Sequence, residues 1–189
     1  KDINLHINIT KNIPTQGGLG SASTNAAALI KGLEQMDIIK TCTNYDYYSY
    51  LGKDVPVFLF GKNALVSGAG EKVLDHEFPK YFFLIVKPTI NLSTKSMYKK
   101  INILKNQDKV NNHFRNDFEE IAIKEHDEIK QIINFFKKNK NCVLTSITGS
   151  GSCCFGAFKN KEHVNEAMKE LKILFPDFWS VIVENNKSD

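Results

Sequence analysis

Residues 12–28 read Asn-Ile-Pro-Thr-Gln-Gly-Gly-Leu-Gly-Ser-Ala-Ser-Thr-Asn-Ala-Ala-Ala, and the rest of the chain is best read outward from this run. Gly17, Gly18 and Gly20 let the backbone pass where a Cβ would clash, and the small residues behind them predict a helix over Ser23 to Met36. Ser21, Ser23 and Thr24 set hydroxyls at its first turn. Exposed N–H groups at a helix N-terminus, aligned with the helix dipole, form a site for phosphate. The same residues also suit an ordinary strand-to-helix turn with a serine cap. The run is neither a P-loop nor a dinucleotide fingerprint. No Gly-Lys-Ser/Thr ends it, and Gly18, Gly20 and Ala22 do not keep the dinucleotide spacing.

The chain has 189 residues, enough for one large domain or two small ones. An apolar share of 42% with 24% charged residues is that of a folded domain, and no run has the apolar length that crosses a bilayer. The net charge of +4 is mild and spread along the chain, so neither a nucleic acid nor a membrane is expected as partner. Arg115 is the only arginine. Cys42, Cys142, Cys153 and Cys154 lack C-x-x-C pairing and nearby histidines, which predicts reduced thiols that are buried or indifferent to function. The chain opens at Lys1 with no signal segment, as a piece of a longer protein is expected to do.

Ahead of the loop, Ile3, Leu5, Ile7 and Ile9 alternate with polar residues, His6 among them, the period of a strand with one buried face. Behind it, Ala26, Leu29, Ile30 and Leu33 recur at helical spacing as a core face. A second helix is expected near Asn44 to Leu51, with Tyr45, Tyr47, Tyr48 and Tyr50 packing on the first. In Leu51 to Gly61, Asp54 stands between Gly52 and an apolar run read as a buried strand. There it suits either a partly desolvated proton acceptor or a turn-capping carboxylate. Ala64 to Val73 reads as strand, turn, strand, with Gly68 and Gly70 in the turn.

A composition change at His76 to Lys80 suggests a domain junction. Beyond it the expected elements are strands at Tyr81–Val86, Val143–Ile147, Cys154–Phe158 and Trp179–Val183, and helices at Thr94–Ile103, within Asn116–Lys138, and at Glu162–Phe175. Strands broken by helices, with one hairpin at Gly149-Ser150-Gly151, predict an α+β sandwich of the ferredoxin-like kind.

The run Pro14 to Ala27 resembles the phosphate loop of the GHMP small-molecule kinases. Leu51-Gly-Lys-Asp-Val-Pro-Val-Phe58 and Gly68-Ala-Gly-Glu71 are similar to the branch that phosphorylates 4-diphosphocytidyl-2-C-methyl-D-erythritol in the non-mevalonate isoprenoid pathway. Asn116-Asp-Phe-Glu119 and Thr148-Gly-Ser-Gly-Ser-Cys-Cys-Phe155 resemble two later family motifs, in the right order.

The resemblance implies a GHMP kinase fold, with a partial ribosomal-S5-like N-terminal domain over residues 1–78 and a ferredoxin-like C-terminal domain over 79–189. It implies an active site between them that uses ATP and Mg²⁺. Pro14, Thr15, Gln16, Gly17, Gly18, Leu19, Gly20, Ser21, Ala22, Ser23 and Thr24 would wrap the ATP phosphates. Asp54 matches the family's catalytic aspartate, which takes the proton of the attacking hydroxyl. Ala69, Thr94 and Tyr98 match positions lining the acceptor pocket. Tyr98 would stack on the cytosine from the helix face it shares with Thr94, or alternatively pack on the junction.

Two departures from the family accompany this. The segment bearing the lysine that pairs with the aspartate, and further cytidine-pocket residues, is expected before Lys1, so residues 1–189 alone are expected to turn over poorly. Ala22 stands where many relatives hold Mg²⁺ with serine, which leaves the metal ligands unassigned. Another member of the superfamily, of mevalonate-pathway or homoserine type, and a non-catalytic nucleotide-binding fragment are the rival readings. The implied compartment is a bacterial cytoplasm or a plastid stroma.

Overall fold

Helix α1 spans Ser21–Gln35 in the computed structural model, which describes residues 4–104 and 116–185. Ala27 and Ile30 on its inner face meet Tyr48, Val55 and Leu59, which closes one small core. Tyr48 belongs to a 3₁₀ helix over Tyr45–Tyr50, and Val55 and Leu59 to a short helix α2, Val55–Phe60. The Glu34 carboxylate accepts from the Cys42 N–H at 3.1 Å, fixing the return of the chain from α1. Strands β1 (Ala64–Ser67) and β2 (Lys72–Asp75) then form an antiparallel hairpin about the Gly68–Gly70 turn.

The second half holds β3 (Phe82–Lys87), α3 (Thr94–Leu104), α4 (Glu119–Glu125), α5 (Asp127–Lys138), β4 (Cys142–Ile147), β5 (Cys154–Phe158), α6 (Lys161–Leu174) and β6 (Trp179–Glu184). The four strands pair antiparallel in the order β4-β5-β3-β6, the βαββαβ arrangement of a ferredoxin-like sandwich. Its core is a second cluster built on Leu84, Ile129, Ile132, Phe136, Phe158, Val164 and Leu171. The amphipathic pattern accounts for α5, which buries Ile129, Ile132, Ile133 and Phe136. Asp127 and Glu128 in its first turn and Lys137 and Lys138 in its last complement the dipole. Asn160 caps α6, its Oδ1 accepting the His163 N–H at 3.0 Å.

The structure corrects several expectations. Ile3 lies outside the described residues, and residues 4–10 form no strand: Leu5, Ile7 and Ile9 are about half exposed. Alternation becomes a strand only beside a partner, and none of the described strands bonds to this run. Val55–Phe60 is helix rather than strand, since six apolar residues carry no period that separates the two. Pro56 sits in the first turn, where its missing N–H costs nothing, and Gly61 ends the helix at φ 73°. Leu29 is exposed, as are Tyr47 and Tyr50, which pack edge-on against each other while Tyr48 alone among the three is buried.

Candidate active site

The glycine loop is docked on the far half of the chain. The Thr148 hydroxyl donates to the Gly17 carbonyl at 2.7 Å, the Cys153 N–H donates to the same oxygen at 3.1 Å, and the Ser152 N–H donates to Gln16 at 3.3 Å. Gly18 has φ +70°, and a Cβ there would lie 2.1 Å from the Thr148 carbonyl oxygen. A Cβ on Gly20, also left-handed at φ +64°, would meet the Phe58 ring at 2.7 Å. The loop can follow this path only because these residues are glycine.

Gly20 hands the chain to α1 and no side chain caps the helix. The Thr24 hydroxyl turns back to the Gly20 carbonyl at 3.0 Å rather than capping forward. The first N–H groups of a helix have no intrahelical acceptor, so Ser21, Ala22 and Ser23 bring donors that could serve an anion. Around them Thr15 and Gln16 are exposed, while Pro14, Leu19, Ser21 and Ser23 are half-buried.

Asp54 leads into α2, whose Phe58 covers Gly20, and a Cβ on the nearby Gly52 would come 3.3 Å from the Ser23 hydroxyl. The two contacts bring the start of α2 alongside the first turn of α1. Asp54 is exposed and makes no capping bond, so it is neither the partly desolvated carboxylate at a strand mouth nor the turn-capping one that the segment allows, but an open carboxylate at the start of a helix. Beside it the β1–β2 turn abuts Lys53, and Ala69 is exposed there.

On the other side, the Thr94 and Ser150 hydroxyls are bonded at 2.9 Å, which joins the start of α3 to the 148–152 turn. Tyr98 is 57% exposed, its ring nearly perpendicular to that of Phe118 at a centroid separation of 5.0 Å and an interplanar angle of 85°. Asn116 organises both features. Its Nδ2 donates to the Ile147 and Gly149 carbonyls at 3.0 and 2.9 Å, and its Oδ1 accepts the Phe118 N–H at 2.9 Å. Glu119 accepts from the Ser146 hydroxyl and the Ile147 N–H. The Asn116–Glu119 motif thus holds the turn and backs Tyr98, roles its residues gave no local sign of.

Lys87 was also missed in the sequence. It is 6% exposed, and its ammonium donates to Pro88 O and Asn91 Oδ1, each at 3.0 Å, and to Ile90 O. The Ser152 hydroxyl donates to the same Ile90 carbonyl at 2.8 Å, so Lys87 braces the strap on which the 148–153 turn rests. Burial lowers its pKa, opposed by Cys153 and Glu128. Burial pushes the Cys153 thiol from the ordinary 9.0 up to about 12, against the pull of Lys87. The unfolded chain therefore ionises this thiol first, so its contribution to stability is whole below pH 9.0 and is lost as pH rises toward about 12. In mildly alkaline buffer, Cys153 and Cys154, both 0% exposed, are expected to react with a disulfide reagent only after denaturant is added. Rapid labelling of either in the native protein would contradict this packing.

Among the described residues, no three His, Cys, Asp or Glu side chains are grouped to hold a metal ion, and no helix is long and apolar enough to cross a membrane.

Residues 2–62 match the model of the GHMP kinases N terminal domain, and residues 97–177 that of GHMP kinases C terminal. The 4-diphosphocytidyl-2-C-methyl-D-erythritol kinase of Ehrlichia chaffeensis (strain ATCC CRL-10679 / Arkansas) is 31% identical over 192 residues, covering 93% of this chain and 68% of the relative. The enzyme of the same description from Neisseria gonorrhoeae (strain NCCP11945) is 31% identical over 188 residues, covering 90% of this chain and 63% of the relative. The chain thus spans somewhat under two thirds of the latter. A crystal structure of 4-(cytidine 5'-diphospho)-2C-methyl-D-erythritol kinase superposes with TM-score 0.76 at 22% identity over 94% of this chain and 69% of that one. A homoserine kinase from Cytophaga hutchinsonii ATCC 33406 superposes at 0.58 with 16% identity, covering 93% and 68%. At these identities the two superpositions speak for the fold.

Proposed function

Because the chain belongs to the GHMP kinase family, we propose that the protein transfers the γ-phosphoryl group of ATP to the 2-hydroxyl of 4-diphosphocytidyl-2-C-methyl-D-erythritol, a step toward isoprenoid precursors outside the mevalonate route. The observation that carries the proposal is the docked glycine loop opening into the uncapped start of α1, with the Asp54 end of α2 alongside. In this reading residues 1–78 form the ATP-binding half and 79–189 the half that carries Thr94 and Tyr98. The reaction compartment is a bacterial cytoplasm or plastid stroma.

The residues fit the nucleotide. The first-turn N–H groups of Ser21, Ala22 and Ser23 take phosphate oxygens, with Pro14 to Gly20 and Thr24 shaping the cradle. When bound with ATP, Mg²⁺ would supply charge neutralisation at the phosphoryl oxygens. The Ala22 methyl cannot ligate a metal ion, so no protein ligand is assigned to Mg²⁺, whose shell phosphate oxygens and water could fill. The Asp54 carboxylate accepts the acceptor's hydroxyl proton as that oxygen bonds the γ-phosphorus and the bond to the β,γ-bridging oxygen breaks, the electron pair leaving with ADP. Tyr98, exposed beside Phe118, stacks on the cytosine, and Thr94 and Ala69 line the pocket.

The test is a panel of acceptors given to the full-length protein with ATP. The diphosphocytidyl acceptor is expected to exceed homoserine and mevalonate by about 100-fold or more in kcat/KM. The reverse order would assign the chain to another member of the family. ATP binding with no transfer to any acceptor would favour a non-catalytic role.

A further inference from the structure

The Gly68-Ala-Gly-Glu71 turn carries a residue that the mechanism above does not use. The Ala69 N–H donates to a Glu71 carboxylate oxygen at 2.6 Å, so the side chain folds back into its own turn. The glycines on either side are explained by two separate contacts. A Cβ on Gly68 would lie 2.1 Å from Glu71 Oε1, so this glycine makes room for the carboxylate. A Cβ on Gly70 would lie 2.2 Å from the carbonyl oxygen of Lys53, so this glycine lets the turn press on the peptide that joins Lys53 to Asp54. Both have left-handed φ, +72° and +108°, which no other residue adopts without strain.

We infer that Glu71 is a positioning residue for Asp54, closing the 68–71 turn so that Gly70 buttresses the Lys53–Asp54 peptide. The inference rests on the proposed role of Asp54 as proton acceptor. Asp54 lacks a side-chain bond of its own to fix it, so the placement of its carboxylate depends on its backbone. On one side that backbone is held by the Val55 N–H donating to Gly52 at 3.0 Å. On the other it meets the hairpin turn. The ionised form of Glu71 suits the task. Its own N–H and that of Ala69 hold the carboxyl below its usual range, with a smaller contribution from the Lys53 and Lys72 charges. Without the carboxylate, the Ala69 N–H loses its acceptor, and the turn is left with the long bond from the Gly70 N–H to the Ser67 carbonyl at 3.3 Å. The same loss would release Ala69, which lines the acceptor pocket in the proposed reading.

The full-length protein carrying Glu71→Ala is expected to lose about 10-fold or more in kcat, with KM for ATP within about twofold, since a misplaced base slows the chemical step and leaves the nucleotide cradle intact. Glu71→Gln keeps an oxygen that accepts the same N–H and is expected to retain more than half of wild-type kcat. Amide hydrogen exchange over residues 52–55 and 68–71 should quicken about 10-fold in the alanine variant and stay near wild type in the glutamine variant. Wild-type kcat together with unchanged exchange at 52–55 in Glu71→Ala would overturn the inference. If the unmutated protein transfers no phosphoryl group to any acceptor, the proposed function fails instead, and the exchange at 52–55 alone decides whether Glu71 holds that peptide.

Discussion

Asp54→Asn in the full-length protein is expected to lower kcat by about 10³-fold while leaving the Kd for ATP within about twofold. Asparagine matches the size of aspartate and cannot accept the hydroxyl proton. The position is exposed and makes no capping bond, so the exchange leaves the packing of α2 on α1 untouched and the melting temperature near wild type. In the proposed reading the first turn of α1 and the loop before it take the nucleotide's phosphates, and Asp54 contributes no backbone to either. A loss confined to the chemical step separates a general base from a residue that merely helps the helix start. Wild-type turnover in this variant would remove Asp54 from the mechanism.

Gly18→Ala carries the second large effect. The added methyl would sit 2.1 Å from the Thr148 carbonyl oxygen and 3.0 Å from that of Gly151, on a backbone already at φ +70°. A non-glycine residue at that φ costs about 1–2 kcal/mol, and overpacking adds about 1–3 kcal/mol. The loop then has to lift from the 148–153 turn, which breaks the bonds that Thr148 and Cys153 make to Gly17. If ATP binds the docked loop, its affinity should fall by about 100-fold, since each 1.4 kcal/mol or so spent on docking weakens binding about tenfold. Calorimetric titration with ATP reads this directly. Thr148→Val removes one hydrogen bond at nearly constant volume and should cost only about 1 kcal/mol. A Gly18→Ala protein that binds ATP as tightly as wild type would show that the loop's docking has no part in holding the nucleotide.

The parts of the fold that sequence revealed are those whose signals are local and repeated. Helix α6 has Val164, Ala167, Met168 and Leu171 on one face, and all of these pack inward as their spacing predicts. The strands at Phe82–Lys87 and Cys154–Phe158 are apolar runs of strand length bounded by turns, and they form the centre of the sheet. Residues 4–10 and 55–60 misled for opposite reasons. The first has a clear strand period but no partner among the described strands, and the second is a six-residue run with no period at all.

At the site, the glycine loop and Asp54 stood out because their residue types are unusual where they occur. The groups that fix them did not. The Thr148 hydroxyl reaches Gly17 across 131 positions of sequence, and Asn116 reaches Gly149 across 33. Nothing near either residue in the chain announces such a contact. Lys87 closes a β-strand and looks like a solvated strand end, yet the fold turns its ammonium onto three inward acceptors. Only the spacing of whole motifs, compared with a family, hinted that these distant segments work together.

The hydroxyl that receives the phosphoryl group decides the function. Phosphorus NMR of the full-length protein incubated with ATP, Mg²⁺ and 4-diphosphocytidyl-2-C-methyl-D-erythritol should show ADP and a new monoester resonance coupled to the methylerythritol at its 2-oxygen, growing in equal amounts. ADP formed without that monoester, or a monoester at another oxygen, would contradict the proposed function.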